Sequence, residues 1–239
     1  MSSPSPARTS SGWLASETPA PDNIVWHSLA GQHSRFATGT DETRRYAAGF
    51  FADRRLCRSR RPNLAALTPC EPGEHFCDGW SGPASAGWHI ETESTMFKMV
   101  WEGAIPDKDE APEAIRLGAE HAKQALELAK LTNPGPFGLR TIELGEYFGC
   151  FEGPRLIAMA GERMCAGPFR EISGVCTHPD FQGRGLARRL MMKLIRRQMQ
   201  RNETPFLHVM TANDRSHGLY VRMGFRDYRQ SVVRVIAPG

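Results

Sequence analysis

The chain has 239 residues, 40% of them hydrophobic, and a formal net charge of +4 from 30 Lys and Arg against 26 Asp and Glu. That apolar share supports one large packed domain or two small ones. The basic residues are spread rather than gathered into an arm, which argues against a nucleic-acid partner, and no run approaches the ~18 apolar residues of a membrane span.

The N-terminus lacks an apolar run of about 7–15 residues, so it does not read as a secretory leader, and a soluble cytoplasmic protein is expected. Six cysteines, Cys57, Cys70, Cys77, Cys150, Cys165 and Cys176, form no C-x-x-C pair. Cys70, His75 and Cys77 lack a fourth ligand and a second pair, so no metal is expected. The other cysteines read as small buried hydrophobes.

Residues 1–22 are rich in Ser, Pro and Ala and are expected to be disordered. Residues 23–103 give mixed signals. Trp26, Leu29 and Phe36 suggest a short helix over 25–37, and 64–67 and 96–101 look like short strands. A Gly/Ser/Pro-rich loop over 78–87 separates them. Residues 104–113 form a charged connector to a final unit, 104–239. Positions 113–131 read as a helix with Ala122, Ala125, Leu126 and Ala129 on one face. Asn133-Pro134-Gly135-Pro136 stops it. Segments 147–151 and 156–164 form a hairpin through Glu152-Gly153-Pro154. Strand 172–177 follows, then a glycine turn, a helix, a strand at 206–210, a short helix carrying Tyr220, and a last strand pair at 225–228 and 232–236.

The turn is Gln182-Gly183-Arg184-Gly185-Leu186-Ala187. Beyond it Ala187, Leu190, Met191, Leu194 and Ile195 recur at helical spacing, with Arg188, Arg189, Lys193, Arg196 and Arg197 off that face. A helix start leaves N–H groups unpaired and partly positive, which attracts phosphate. The nucleotide P-loop is excluded because no Gly-Lys-Ser/Thr closes the turn. The dinucleotide fingerprint is disfavoured because Arg188 stands where it needs a third glycine, and Glu203 precedes the following strand rather than ending it. The coenzyme A pattern Gln/Arg-x-x-Gly-x-Gly/Ala fits at Gln182, Gly185 and Ala187. Asn213 and Leu219-Tyr220-x-x-Met223-Gly224-Phe225 follow downstream.

With these two motifs in order, residues from about 96 to 236 resemble the GNAT superfamily of N-acetyltransferases. The wording is closest to the branch that includes glycine N-acyltransferase-like domains. The resemblance implies an α/β (α+β) fold, a mixed, mostly antiparallel sheet flanked by helices. It leaves 23–103 open to reading as a degenerate copy that walls the acceptor pocket. It implies acetyl-CoA as co-substrate, with the backbone of Val175, Cys176 and Thr177 meeting pantetheine. Gln182, Gly183, Arg184, Gly185, Leu186, Ala187 and Arg188 would hold the pyrophosphate. Asn213 resembles a contact to the pantetheine arm and equally suits a helix N-cap.

Tyr220 has the position of the family's general acid. Glu171, six residues before Thr177, aligns with a catalytic glutamate that could take the amine proton directly or through water. His178 and His208 are alternatives; His208 lies mid-strand and also reads as merely buried. Cys176 raises an acyl-cysteine route, but nothing near it in sequence lowers a thiol pKa, so direct transfer in a ternary complex is favoured. The function expected is acetyl transfer to the amine of a small molecule or amino acid. A non-catalytic acyl-CoA sensor and a protein N-acetyltransferase stay open. The acceptor and the oligomeric state are not written in the sequence.

Overall fold

The computed structural model describes residues 23–40, 43–50, 55–57, 75–78, 82–84 and 86–239. The expected tail 1–22, the expected strand at 64–67, and Cys70 lie outside the described residues.

Helix α1, Ile24–Ala30, leads through a tight turn into a small three-stranded sheet of β1 Ala37–Gly39, β2 Thr43–Tyr46 and β3 Arg55–Cys57. The rest builds one larger sheet. Its members are β4 His75–Asp78, β5 Trp88–Trp101, β6 Ile115–Arg116, β7 Tyr147–Glu152, β8 Arg155–Ala166, β9 Phe169–Thr177, β10 Thr204–Met210 and β11 Phe225–Pro238. Helices α2 Ala122–Thr132, α3 Leu186–Gln200 and α4 Asp214–Met223 connect them. The eight strands lie in the order β4-β11-β5-β10-β9-β8-β7-β6. Neighbours are antiparallel except β9 and β10, whose parallel pairing needs the α3 crossover. This is the expected α+β architecture.

The helices cover both faces because strand side chains alternate. Ala158 and Ala160 of β8 pack in the cluster that holds Leu190, Met191, Leu194 and Ile195 of α3. Met159, between them, packs with Ala125, Leu128 and Ala129 of α2. Alongside α2, Ile24, Val25 and Leu29 of α1 pack on Met164, Ala166 and Phe206. Fully burying a side chain of this size stabilises the fold by about 1.5–3 kcal/mol.

Several expected elements change. The helix expected over 25–37 is a helix only over Ile24–Ala30, and the strand expected over 96–101 begins already at Trp88. The helix expected over 113–131 begins only at Ala122. Before it, Ile115–Arg116 pairs with β7, and the Leu117 amide donates to the Tyr147 carbonyl at 2.8 Å. Edge pairing therefore outcompetes helix propensity there. The two closing strands are one 14-residue strand along β5, with a register shift between Asp227 and Arg229. Such a bulge kinks a strand without ending it. β5 lies between β10 and β11, so residues on both sides of position 103 share one sheet.

Candidate active site

Strands β9 and β10 pair only at Phe169 with Thr204, Arg170 with Pro205, and Glu171 with Phe206. Beyond Glu171 they separate. β10 continues along β5 as far as Met210. β9 is bent by Gly174, at φ 63°, where a Cβ would stand 3.0 Å from Tyr147 Cε1. The paired strand β8 shifts register just there, between Met159 and Gly161, and such irregularities bend a strand.

A cleft of about 690 Å³ fills the gap. Ile172, Ser173, Gly174 and Val175 form one wall and Leu207, His208, Val209 and Met210 the other, with Asn213, Ser216 and Tyr220 beside them. On this side the backbone of β9 past Glu171 has no partner strand, so it is a ready edge for an extended amide-bearing ligand.

The glycine turn lies beyond the end of β9. Gly183 and Gly185 take φ 79° and 74°, and the space where a Cβ would sit is open at both. Glycine is needed here for backbone conformation and not for crowding. Gly185 caps α3 with no side-chain bond, and the first helical bond runs from the Arg189 amide to the Gly185 carbonyl at 3.0 Å. The amides of Leu186, Ala187 and Arg188 therefore remain for an anion. Gln182 Nε2 reaches the Thr177 carbonyl at 3.5 Å, a long contact between turn and strand. The Arg184 guanidinium lies 4.7 Å from the Phe181 ring centroid.

The basic face of α3 is largely neutralised inside the fold. Arg188 pairs with Glu110, Arg189 with Glu113, and Arg197 and Arg201 with Glu146. Lys193, expected off the apolar face, is buried against Asp109 and donates to the Ala111 carbonyl at 3.1 Å. Arg188 thus offers the cleft a backbone amide rather than a spare cation.

Asn213 caps α4, its Oδ1 accepting from the Ser216 amide at 3.1 Å, and it also lines the cleft. Tyr220 projects from α4 with its ring centroid 6.1 Å from that of Phe225. Burial raises its phenol above the ordinary value, against a smaller opposing effect from Ser216. The pull needed for easy proton release is therefore missing, and the hydroxyl stays protonated.

Glu171 is fully buried. Arg163 holds both its oxygens, Nε to Oε2 at 2.9 Å and Nη2 to Oε1 at 2.7 Å. His208 Nδ1 meets Oε1 at 2.7 Å. Burial alone would raise this carboxyl, but Arg163 and the His208 hydrogen bond pull it well below the usual carboxylate range. A group so held has no open face for direct proton abstraction. Cys176 is buried in the α2 cluster, with its thiol pushed up to about 11 by burial. Val175 lines the cleft, whereas the Thr177 hydroxyl is buried without a partner. His178 lies apart, bonded to Arg155 and to the Asp180 amide.

Among the described residues, no cluster of three His, Cys, Asp or Glu side chains could hold a metal ion, and no helix is long and apolar enough to cross a membrane.

The FR47-like protein family matches residues 147–235. A GNAT-family acetyltransferase structure from Novosphingobium aromaticivorans is 30% identical, with a TM-score of 0.83 over 92% of this chain and 100% of its own. The chain belongs to the GNAT family. A GCN5-related N-acetyltransferase from Kribbella flavida, 13% identical over 90% of this chain and 95% of its own, shares the fold at a TM-score of 0.61. So does a GCN5-related N-acetyltransferase-like protein from Streptococcus suis, 16% identical over 92% and 94%, at 0.59. No curated protein matches. These likenesses reach the family and not the glycine N-acyltransferase-like branch within it. GNAT folds bind acetyl-CoA and transfer acyl groups, and the cleft fits that use: an unpaired strand edge, then an uncapped helix start with open space over two glycines.

Proposed function

We propose that this GNAT protein moves an acetyl or short acyl group from acetyl-CoA to the amine of a small molecule, by direct transfer in a ternary complex. The separation of β9 from β10 past Glu171 carries this reading. The amides of 183–188 take the pyrophosphate, and the backbone of Val175, Cys176 and Thr177 pairs with the pantetheine amides. An N–H of that edge polarises the thioester carbonyl. Asn213, while capping α4, contacts the pantetheine arm.

Tyr220 serves the leaving sulfur. Its raised pKa keeps the phenol protonated, so it stabilises the thiolate first as a hydrogen-bond donor and completes protonation as the C–S bond breaks. An acyl-cysteine at Cys176 is disfavoured, because its thiol faces the α2 core and resists ionisation. The free buried thiols of Cys150, Cys165 and Cys176 suit a reducing cytoplasm.

The acceptor end favours a small body with an apolar portion. Val25, Met96, Phe137, Met164, Val233 and Val235 line it, with hydroxyls from Thr92 and Ser94. Four of these eight residues come from the first 103, which gives that part of the chain its role as a wall.

Tyr220→Phe is expected to lower kcat by about 10²-fold or more, with acetyl-CoA affinity by calorimetry unchanged. An unaltered kcat across the pH range removes the role of Tyr220. Saturable acetyl-CoA binding with no thiol release across a broad amine panel replaces the enzyme with an acyl-CoA sensor.

A further inference from the structure

Two buried polar atoms at the cleft need an explanation. One is the Glu171 carboxylate, held ionised and out of reach. The other is His208 Nε2, which is buried and has no hydrogen-bond partner. A polar atom left this way is costly in a folded protein, so it marks either a defect or a function.

The hydrogen-bond pattern fixes which ring nitrogen is the donor. A carboxylate only accepts, so the nitrogen facing Glu171 carries the hydrogen, Nδ1–H. In the neutral ring the lone pair is then on Nε2. The His208 side chain is 9% exposed and the residue lines the cleft. Packing locks it: the Phe206 ring meets it edge-on, with centroids 5.5 Å apart. Among charged neighbours, Glu171 and Arg163 stand on β9 and β8, and Lys98 of β5 is opposite His208 in the register. Among the described residues, no Asp or Glu lines the cleft, and Lys130 is a further cation on its lining. The His208 imidazole is thus a base beside the cleft, with Nε2 covered and unpartnered in this structure.

We propose that His208 Nε2 is the general base that takes the acceptor's proton, with Glu171 as the positioning residue that fixes its tautomer and Arg163 as the anchor of Glu171. This rests on the acyl-transfer reading above and assigns its missing base. It moves proton abstraction from Glu171, where the sequence pointed first, to His208, one of two histidines that the sequence offered as alternatives. The arrangement follows a general logic, in which a base is oriented by a buried carboxylate on its far nitrogen.

The step balances. The lone pair of a neutral primary amine forms the new N–C bond, and the surplus N–H proton passes to Nε2. The C–S bond breaks with its electron pair on sulfur, which takes the Tyr220 hydroxyl proton. The imidazolium proton returns to the tyrosinate through water, leaving an amide and a free thiol. Glu171 keeps its charge throughout and stabilises the imidazolium.

The test uses the full chain, acetyl-CoA, and benzylamine and phenethylamine as apolar acceptors, with thiol release as the readout. His208→Gln is expected to lower kcat by about 10²–10⁴-fold and to abolish the acid limb of the pH–rate profile, with acetyl-CoA affinity by calorimetry retained. Imidazole added to His208→Ala is expected to restore part of the rate. Nitrogen-edited NMR of the wild-type protein, with and without acetyl-CoA, is expected to show the Nδ1–H tautomer. In Glu171→Gln, whose amide can donate to Nδ1, that tautomer and kcat are expected to fall together while the KM for acetyl-CoA holds.

A folded His208→Gln that keeps its rate and its acid limb overturns this proposal and leaves acyl transfer standing. So does an Nε2–H tautomer in the wild-type protein, which needs no turnover to be seen. Absence of thiol release from the wild-type protein across a broad amine panel that includes these two removes both the acyl-transfer reading and the base together.

Discussion

The polar cluster under α1 and the polar cluster at the mouth of the separated strands use the same kinds of group and finish differently. Under α1, His33 Nε2 meets the Leu144 carbonyl at 3.1 Å and Nδ1 meets the Tyr46 hydroxyl at 2.8 Å. A carbonyl only accepts, so Nε2 carries the hydrogen and Nδ1 accepts from Tyr46. Ser28 closes the rest, donating to the Ile24 carbonyl at 2.7 Å and accepting from the Cys165 amide at 2.9 Å. At the cleft, His208 has the opposite tautomer and one nitrogen unused. His33 is buried and His208 half-buried, and both pack against aromatic rings. A closed network holds the chain together, while a network left open at one atom beside a cleft has a place for a further partner.

The largest effect on stability that would sharpen this contrast is expected at Arg163. Arg163→Met leaves the Glu171 carboxylate buried without its cation, and urea unfolding should show a loss of about 3–5 kcal/mol. A loss no larger than that of an average core substitution would mean that Glu171 does not depend on Arg163.

Next comes pH. Burial holds the His33 imidazole down at about 4, from an ordinary 6.5. The unfolded chain therefore binds this proton below about 6.5, and the folded chain does not until about 4. Stability should fall as pH drops through that window, by about 3 kcal/mol in all. Comparing urea midpoints of the wild type and His33→Gln across the window isolates this contribution. His33→Gln should flatten the slope and leave kcat unchanged; a fall in kcat would place the α1 cluster in catalysis and break the comparison.

The smallest effect is expected at Ser28. Ser28→Ala strands the Cys165 amide and should cost about 1–3 kcal/mol, again with turnover intact. Thermal melts beside thiol-release rates would check both halves of that statement.

Much of the glycine turn and of the helix it opens was readable because it is local. Gly183 and Gly185 sit where the backbone takes positive φ, and Leu190, Met191, Leu194 and Ile195 mark the buried stripe of α3. The β7–β8 hairpin turns at Gly153, at φ 56°, and Asn133 ends α2 at φ 50°. What failed was longer in range. Residues 113–121 have helical composition, but the edge of β7 recruits Ile115–Arg116. That Arg163 closes on Glu171, eight positions away across two strands, was likewise not written locally. His208 could be named only as an alternative beside His178, because its partner is 37 positions away.

By itself the sequence determined what neighbouring residues decide: the glycine turn, the helix it opens, the Asn213 cap and the position of Tyr220 on α4. Each depends on backbone conformation and side-chain period within a turn or two, so short-range physics suffices. Only the tertiary structure decided where β9 leaves β10, that α3 spends its arginines on the acids of 109–113 and on Glu146, and which nitrogen of His208 is left bare. Those outcomes depend on which distant charges and donors meet once the strands are placed, and in a buried site one ion pair or one unmade hydrogen bond changes what a side chain can do.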